Sequence, residues 1–96
     1  MNQPPSKLKH AKVMRYAIAA AACRPSGSTK RLVDGTPLFV PAALAVVHFE
    51  LSQGGVYLYY CDRCWRVLKE NWHHSISEAI ERANYEFDGL QWLSPG

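Results

Sequence analysis

The chain has 96 residues, enough for one domain with one modest core and too few for a cleft between domains. It is 48% hydrophobic and 20% charged, a globular balance, and its three cysteines are an odd number, which argues against a secreted disulfide framework and for a reducing cytoplasm. The net charge of +3 is unevenly spread: residues 1–31 carry Lys7, Lys9, Lys12, Arg15, Arg24, Lys30 and Arg31 with no acid, and the remainder carries eight acids against four bases.

Lys7 to Cys23 is rich in alanine, lysine and arginine, and propensity predicts a weak helix there with Ser6 as its cap. Leu8, Ala11, Met14 or Arg15, Ile18 and Ala22 give it only a thin apolar stripe. Lys12 and Arg15 precede the apolar run Tyr16 to Ala22, and Cys23 follows, so a lipoprotein-like leader exported through Cys23 is the alternative to a cytoplasmic location. No run of 18 apolar residues occurs, and no membrane span is expected. Pro25, Ser26, Gly27 and Ser28 form a loop, and Asp34-Gly35 marks a tight turn before Pro37 and Pro41. The chain therefore divides into a basic arm with an Ala-rich helix and loop, residues 1–37, and a β-β-β-α domain, residues 38–96.

Three strands are predicted in that domain. Ala42 to Leu51 alternates, with Ala45, Val47, Phe49 and Leu51 forming an apolar face. Gly54 and Gly55 then supply the positive φ of a hairpin, and Val56 to Cys61 returns. Asp62 and Arg63 turn the chain into a third strand, Trp65 to Trp72, reading Trp65 and Val67 on one face against Leu68 and Trp72 on the other. Ser75 and Glu78 form a capping box for a helix whose stripe is Ile76, Ala79, Ile80, Ala83 and Phe87, with Gly89 as its stop. The predicted fold is α+β: a three-stranded antiparallel sheet packed on one C-terminal helix, preceded by the weak N-terminal helix, in the order α-β-β-β-α. Its core should hold Val47, Phe49, Leu58, Tyr60, Val67, Ile76, Ile80, Ala83 and Phe87.

Cys61-Asp-Arg-Cys64 is the sharpest chemical motif. Two thiolates at this spacing are half of a tetrahedral zinc site, with His73 and His74 as candidate further ligands. Those histidines lie at the far end of the third strand, so no cofactor is expected and zinc is the alternative. A redox role needs a helix start beside the cysteines, and the motif lies between strands. Ser75 is occupied as a cap, which leaves His73-His74-Ser75 without a nucleophile, and no catalytic residue is assigned. Tyr57, Tyr59, Trp65 and Trp72 give the sheet more aromatic surface than one helix covers and are the candidate partner-binding residues. Lys7, Lys9, Lys12, Arg15, Lys30 and Arg31 are the candidates for nucleic-acid contact.

The stretch Gly55-Val-Tyr-Leu-Tyr-Tyr-Cys-Asp, followed by Ser75-Ile-Ser-Glu-Ala-Ile-Glu-Arg-Ala83, resembles the N-terminal β-β-β-α half of HicB-type antitoxins. Ser75, Glu78, Ala79 and Ala83 match that pattern over about 35 residues, whereas the Cys-X-X-Cys turn and Trp72-His-His do not. The block is also similar to small uncharacterised bacterial proteins with a Tyr-Cys-Asp strand and a Trp-His before a Ser-led helix. The α-β-β-β-α order resembles double-stranded-RNA-binding domains, but the helix opens with Glu78 and Glu81, which would repel phosphates. These resemblances imply a small non-enzymatic binding module in a bacterial cytoplasm, recognising a protein partner or a second copy of itself as antitoxin, immunity or defence-accessory proteins do. Nucleic-acid binding through the basic arm and zinc binding at the Cys-X-X-Cys turn are the alternatives.

Overall fold

A β-hairpin stands where the sequence predicts the N-terminal helix. The computed structural model describes residues 3–19, 24–25, 32–33, 36–37, 41–49 and 54–95. Within it β1 (Lys7–Leu8) pairs antiparallel with β2 (Ala11–Ile18), Leu8 opposite Ala11. Lys9 and His10 make the two-residue turn, with φ of 50° and 69°. Both central residues of such a turn need positive φ, which Asn-Gly meets easily and Lys-His does not. The hairpin therefore leaves no turn signal in the sequence. A register shift at Met14 disguises the strand further: it breaks the alternation, so the buried residues Val13, Tyr16 and Ala17 fall at helix-like spacing. Residues 20–23, Cys23 included, lie outside the described part.

The sheet has five strands, not three. The order is β1-β2-β6-β7-β8, antiparallel throughout, with β6 at Ala43–His48, β7 at Val56–Cys61 and β8 at Val67–His73. It curls into a half-barrel, and Lys9 in the β1–β2 turn meets Glu70 on β8 at 3.2 Å, joining the two sides. Short ladders join β3 (Arg24–Pro25) to β9 (Phe87–Asp88) and β4 (Leu32–Val33) to β5 (Thr36–Pro37). Asp34-Gly35, the predicted turn, lies outside the described residues.

A second bulge decides the faces of β8. Cys61 pairs with Val67 but Tyr60 pairs with Lys69, so Leu68 is the extra residue. One added residue flips every side chain beyond it. Trp72 consequently shares a face with Tyr57 and Val67, where simple alternation had put Val67 and Trp72 on opposite sides.

The predicted core residues pack in two layers. The concave face buries Leu8, Ala11, Val13, Tyr16, Ala45, Val47, Tyr59, Cys61 and Trp65, with Phe49 and Val67 packed against them. The other face buries Leu44, Val46, Leu58 and Tyr60 beneath α1 (Ile76–Glu86), which contributes Ala79 and Ala83, with Ile76 and Ile80 alongside and Phe87 just beyond its end. Ser75 caps α1: its Oγ accepts from the Glu78 N–H at 3.1 Å, while Glu78 accepts from the His74 N–H at 3.4 Å. The helix ends at Glu86, three residues before Gly89, because Phe87 turns extended (φ −136°) to pair in β9. Trp92 then packs back, donating to Asn84 Oδ1 at 3.0 Å, and Leu93 bridges to Tyr16. Among the described residues no helix is long and apolar enough to cross a membrane.

Candidate functional site

The Cys-X-X-Cys segment is a turn built around Asp62. Its Oδ1 accepts from the backbone N–H of Cys64 at 2.8 Å and of Arg66 at 2.9 Å, and its Oδ2 meets Arg66 Nε at 2.9 Å. Those donors and the Arg66 charge hold the Asp62 carboxyl below its usual range, the backbone bond from Arg66 first. Trp65 adopts φ 63° here, which swings its ring under the concave face and edge-on to Tyr16, 6.0 Å between centroids. The two thiols end in different surroundings. Cys64 is exposed, whereas Cys61 is buried and its thiol is pushed up to about 12, chiefly by desolvation and then by Asp62. A thiol held protonated is a poor metal ligand and a poor nucleophile. His73 pairs with Val56, at the other end of the ladder from Cys61 and Val67. Among the described residues no three His, Cys, Asp or Glu side chains converge to hold a metal ion.

The four aromatic candidates separate by depth. Tyr59 and Trp65 are buried in the concave core. Tyr59 lies 5.8 Å beneath Lys9 Nζ, and burial followed by Glu70 raises its hydroxyl to about 12. Tyr57 is half-buried and edge-on to Phe49 and Tyr59. Trp72 is 48% exposed and lies across Gly55, where a Cβ would come within 2.5 Å of its indole carbons. His74 meets the same indole edge-on at 4.5 Å.

Around Trp72 the sheet is open. The strand β8 is the last in the sheet, and among the described residues no strand pairs with its outer edge. About every second one of its seven residues turns its backbone N–H and C=O outward, with Leu68, 54% exposed, near the start of the strand and Trp72 near its end. The bulge at Leu68 and the charge of Lys69 interrupt its first half, as edge strands commonly do to resist indiscriminate pairing. The second half, Glu70 to His73, is regular.

Between β8 and α1 runs a polar seam that sequence reasoning missed. Tyr60 donates to Glu86 Oε1 in a buried contact, Asn71 Nδ2 donates to Tyr60 Oη at 3.2 Å, and Arg82 Nε lies 3.6 Å from Glu86. Lys69 Nζ sits 5.3 Å over the Tyr60 ring. Burial and the Glu86 carboxylate raise the Tyr60 hydroxyl well above its usual value. A signal for the seam exists: Ala79, Ala83 and Glu86 fall at i, i+4 and i+7, so the apolar stripe carries a carboxylate inward. His73, at the end of the strand, adds Nδ1 at 3.6 Å from Glu78 Oε1.

Of the basic candidates, Lys9 is tied to Glu70. Lys7 stands opposite Lys12, and Lys12 opposite His48, with Arg15 farther along the same face, so these form one row. Lys30 and Arg31 lie outside the described residues. No family model, curated protein or solved structure matches this chain. The geometry alone therefore carries the functional reading.

Proposed function

We propose that the chain is a non-enzymatic binding module that accepts an extended segment of a partner protein along the outer edge of β8. The observation that carries this reading is the edge itself, which no strand pairs among the described residues, with Trp72 held half-exposed beside its regular half. Edge strands bind by main-chain hydrogen bonds, with pockets for alternate side chains giving specificity. A second copy is a worse occupant than a different protein. Pairing β8 with itself over its whole length sets Val67 opposite His73 and therefore Glu70 opposite Glu70, and directly opposed like charges destabilise a ladder. Trp72→Glu tests the reading: its side chain is half in solvent, so the fold should survive while partner capture falls at least about tenfold. Capture that is indifferent to Trp72→Glu and to Leu68→Glu would remove the edge from consideration.

A second reading rests on the row of Lys7, Lys12, Arg15 and His48, which suits a phosphate backbone. It requires binding to duplex or single-stranded nucleic acid that weakens steeply with salt and is lost in Lys7→Ala/Lys12→Ala/Arg15→Ala. Salt-independent binding would end it.

A further inference from the structure

Where α1 leaves β8, a cleft of about 460 Å³ is lined by His73, Glu78, Glu81, Arg82 and Tyr85. Its charges do not balance. Arg82 has a carboxylate of its own, Glu86, 3.6 Å from its Nε. Glu78 and Glu81 remain as excess negative charge. Glu78 Oε1 faces His73 Nδ1 at 3.6 Å, which favours a proton on that nitrogen and leaves Nε2 as an acceptor. His73 is only 9% exposed, and its Nε2 is buried with no hydrogen-bond partner among the described residues. Buried acceptors are nearly always satisfied, so an orphan in a cleft lining points to a donor supplied from outside. Nε2 is sealed from solvent, so an outside donor reaches it only as the side chains around it move; Glu81 and Tyr85 are exposed members of the lining, and exposed side chains change rotamer within nanoseconds.

His73 is the last residue of β8 and lies on the helix-side face, sharing it with Val56 and Asn71. A residue opposite His73 on an added strand projects on that same face, beside the cleft. We propose that this cleft is a cation site that takes the guanidinium or ammonium group of an Arg or Lys carried by the partner's added segment. The N–H donors of that group satisfy His73 Nε2, and its charge meets Glu78 and Glu81. The identity of the ligand rests on the edge-strand reading; the cation site itself is tested without it.

The experiment follows the His73 ring nitrogens and the backbone amides of Glu81, Arg82 and Tyr85 by NMR in the full chain, during titration with N-acetylarginine amide, N-acetyllysine amide and N-acetylglutamate amide. The two cationic probes should shift these resonances saturably, with a dissociation constant on the order of 1–10 mM. Glu81→Gln should weaken that binding about threefold, in keeping with one exposed charge pair. Absence of saturation up to about 50 mM, or equal binding of the glutamate probe, overturns the proposal. Trp72→Glu separates the two ideas, because Trp72 lies on the opposite face and the probe affinity should be unchanged by it. Trp72-dependent partner docking without cationic probe binding would sink the cleft alone. Probe binding without any partner docking would support the cation site and sink the edge-strand reading.

Discussion

The two sides of this sheet treat their outermost backbone groups differently. On one side, β1 covers the start of β2, and the C-terminal segment covers it farther along: Tyr16 and Leu93 exchange two backbone hydrogen bonds, of 3.0 and 2.8 Å. On the other side, β8 runs seven residues with no described strand beyond it. An open edge is a template for another chain, and proteins generally blunt it. Here one edge is sealed by distant parts of the chain, and the other is blunted over its first half only. The contrast separates the aromatic candidates, since Tyr59 and Trp65 prove to be core and Trp72 flanks the edge that no described strand covers.

The largest expected effect concerns the layer that joins the edges. Cys61 and Tyr59 both have their proton affinity raised to about 12, from 9.0 and 10.0, so the folded state favours their neutral forms. An unfolded chain gives up those protons first. Stability from these groups is therefore complete below about pH 9 and is lost as pH climbs to about 12, each group adding a slope of up to about 1.4 kcal/mol per pH unit. Denaturant titrations across that range should show the fall, and Cys61→Ala should move its onset up to about pH 10. An onset that stays near 9 would show that Cys61 is not the buried thiol described.

Gly55→Ala attacks the open edge. The residue must hold φ +81°, which costs an L-residue roughly 1–2 kcal/mol, and its methyl group collides with the Trp72 indole. A loss of about 2–3 kcal/mol is expected, with a change in Trp72 fluorescence. In a Trp72→Ala background the collision vanishes and the cost should drop to the conformational part. Additive effects of the two changes would contradict the indole lying over Gly55.

His10→Gly probes the sealed side and has the smallest effect. Relief of the positive φ at His10 should stabilise the hairpin by about 1 kcal/mol. Were residues 7–18 helical, the same change would cost about 1 kcal/mol. The sign of the change thus discriminates between the two structures.

These residues also show what the sequence conceals. The boundaries of β7 and the Ser75/Glu78 cap can be read directly, because alternation and capping act over a few residues. The β1–β2 hairpin cannot, because Lys9-His10 lacks the glycine or asparagine that advertises such a turn. Bulges at Met14 and Leu68 shift the parity of β2 and β8, and only pairing with a neighbouring strand reveals them. Trp72 was legible as an aromatic candidate, but its exposure depends on that parity. The Tyr60–Glu86 contact joins residues 26 positions apart through tertiary packing, beyond the reach of local pattern.

Amide hydrogen exchange of the unbound chain tests the contrast between the edges most directly. The Tyr16 amide donates to Leu93 and should exchange slowly, together with the paired amides of β2. Along Glu70 to His73 the amides that point away from β7 should exchange far faster, alternating with protected neighbours. Uniform protection along β8, or a Tyr16 amide as fast as the outward amides of β8, would contradict an open edge on one side and a sealed edge on the other.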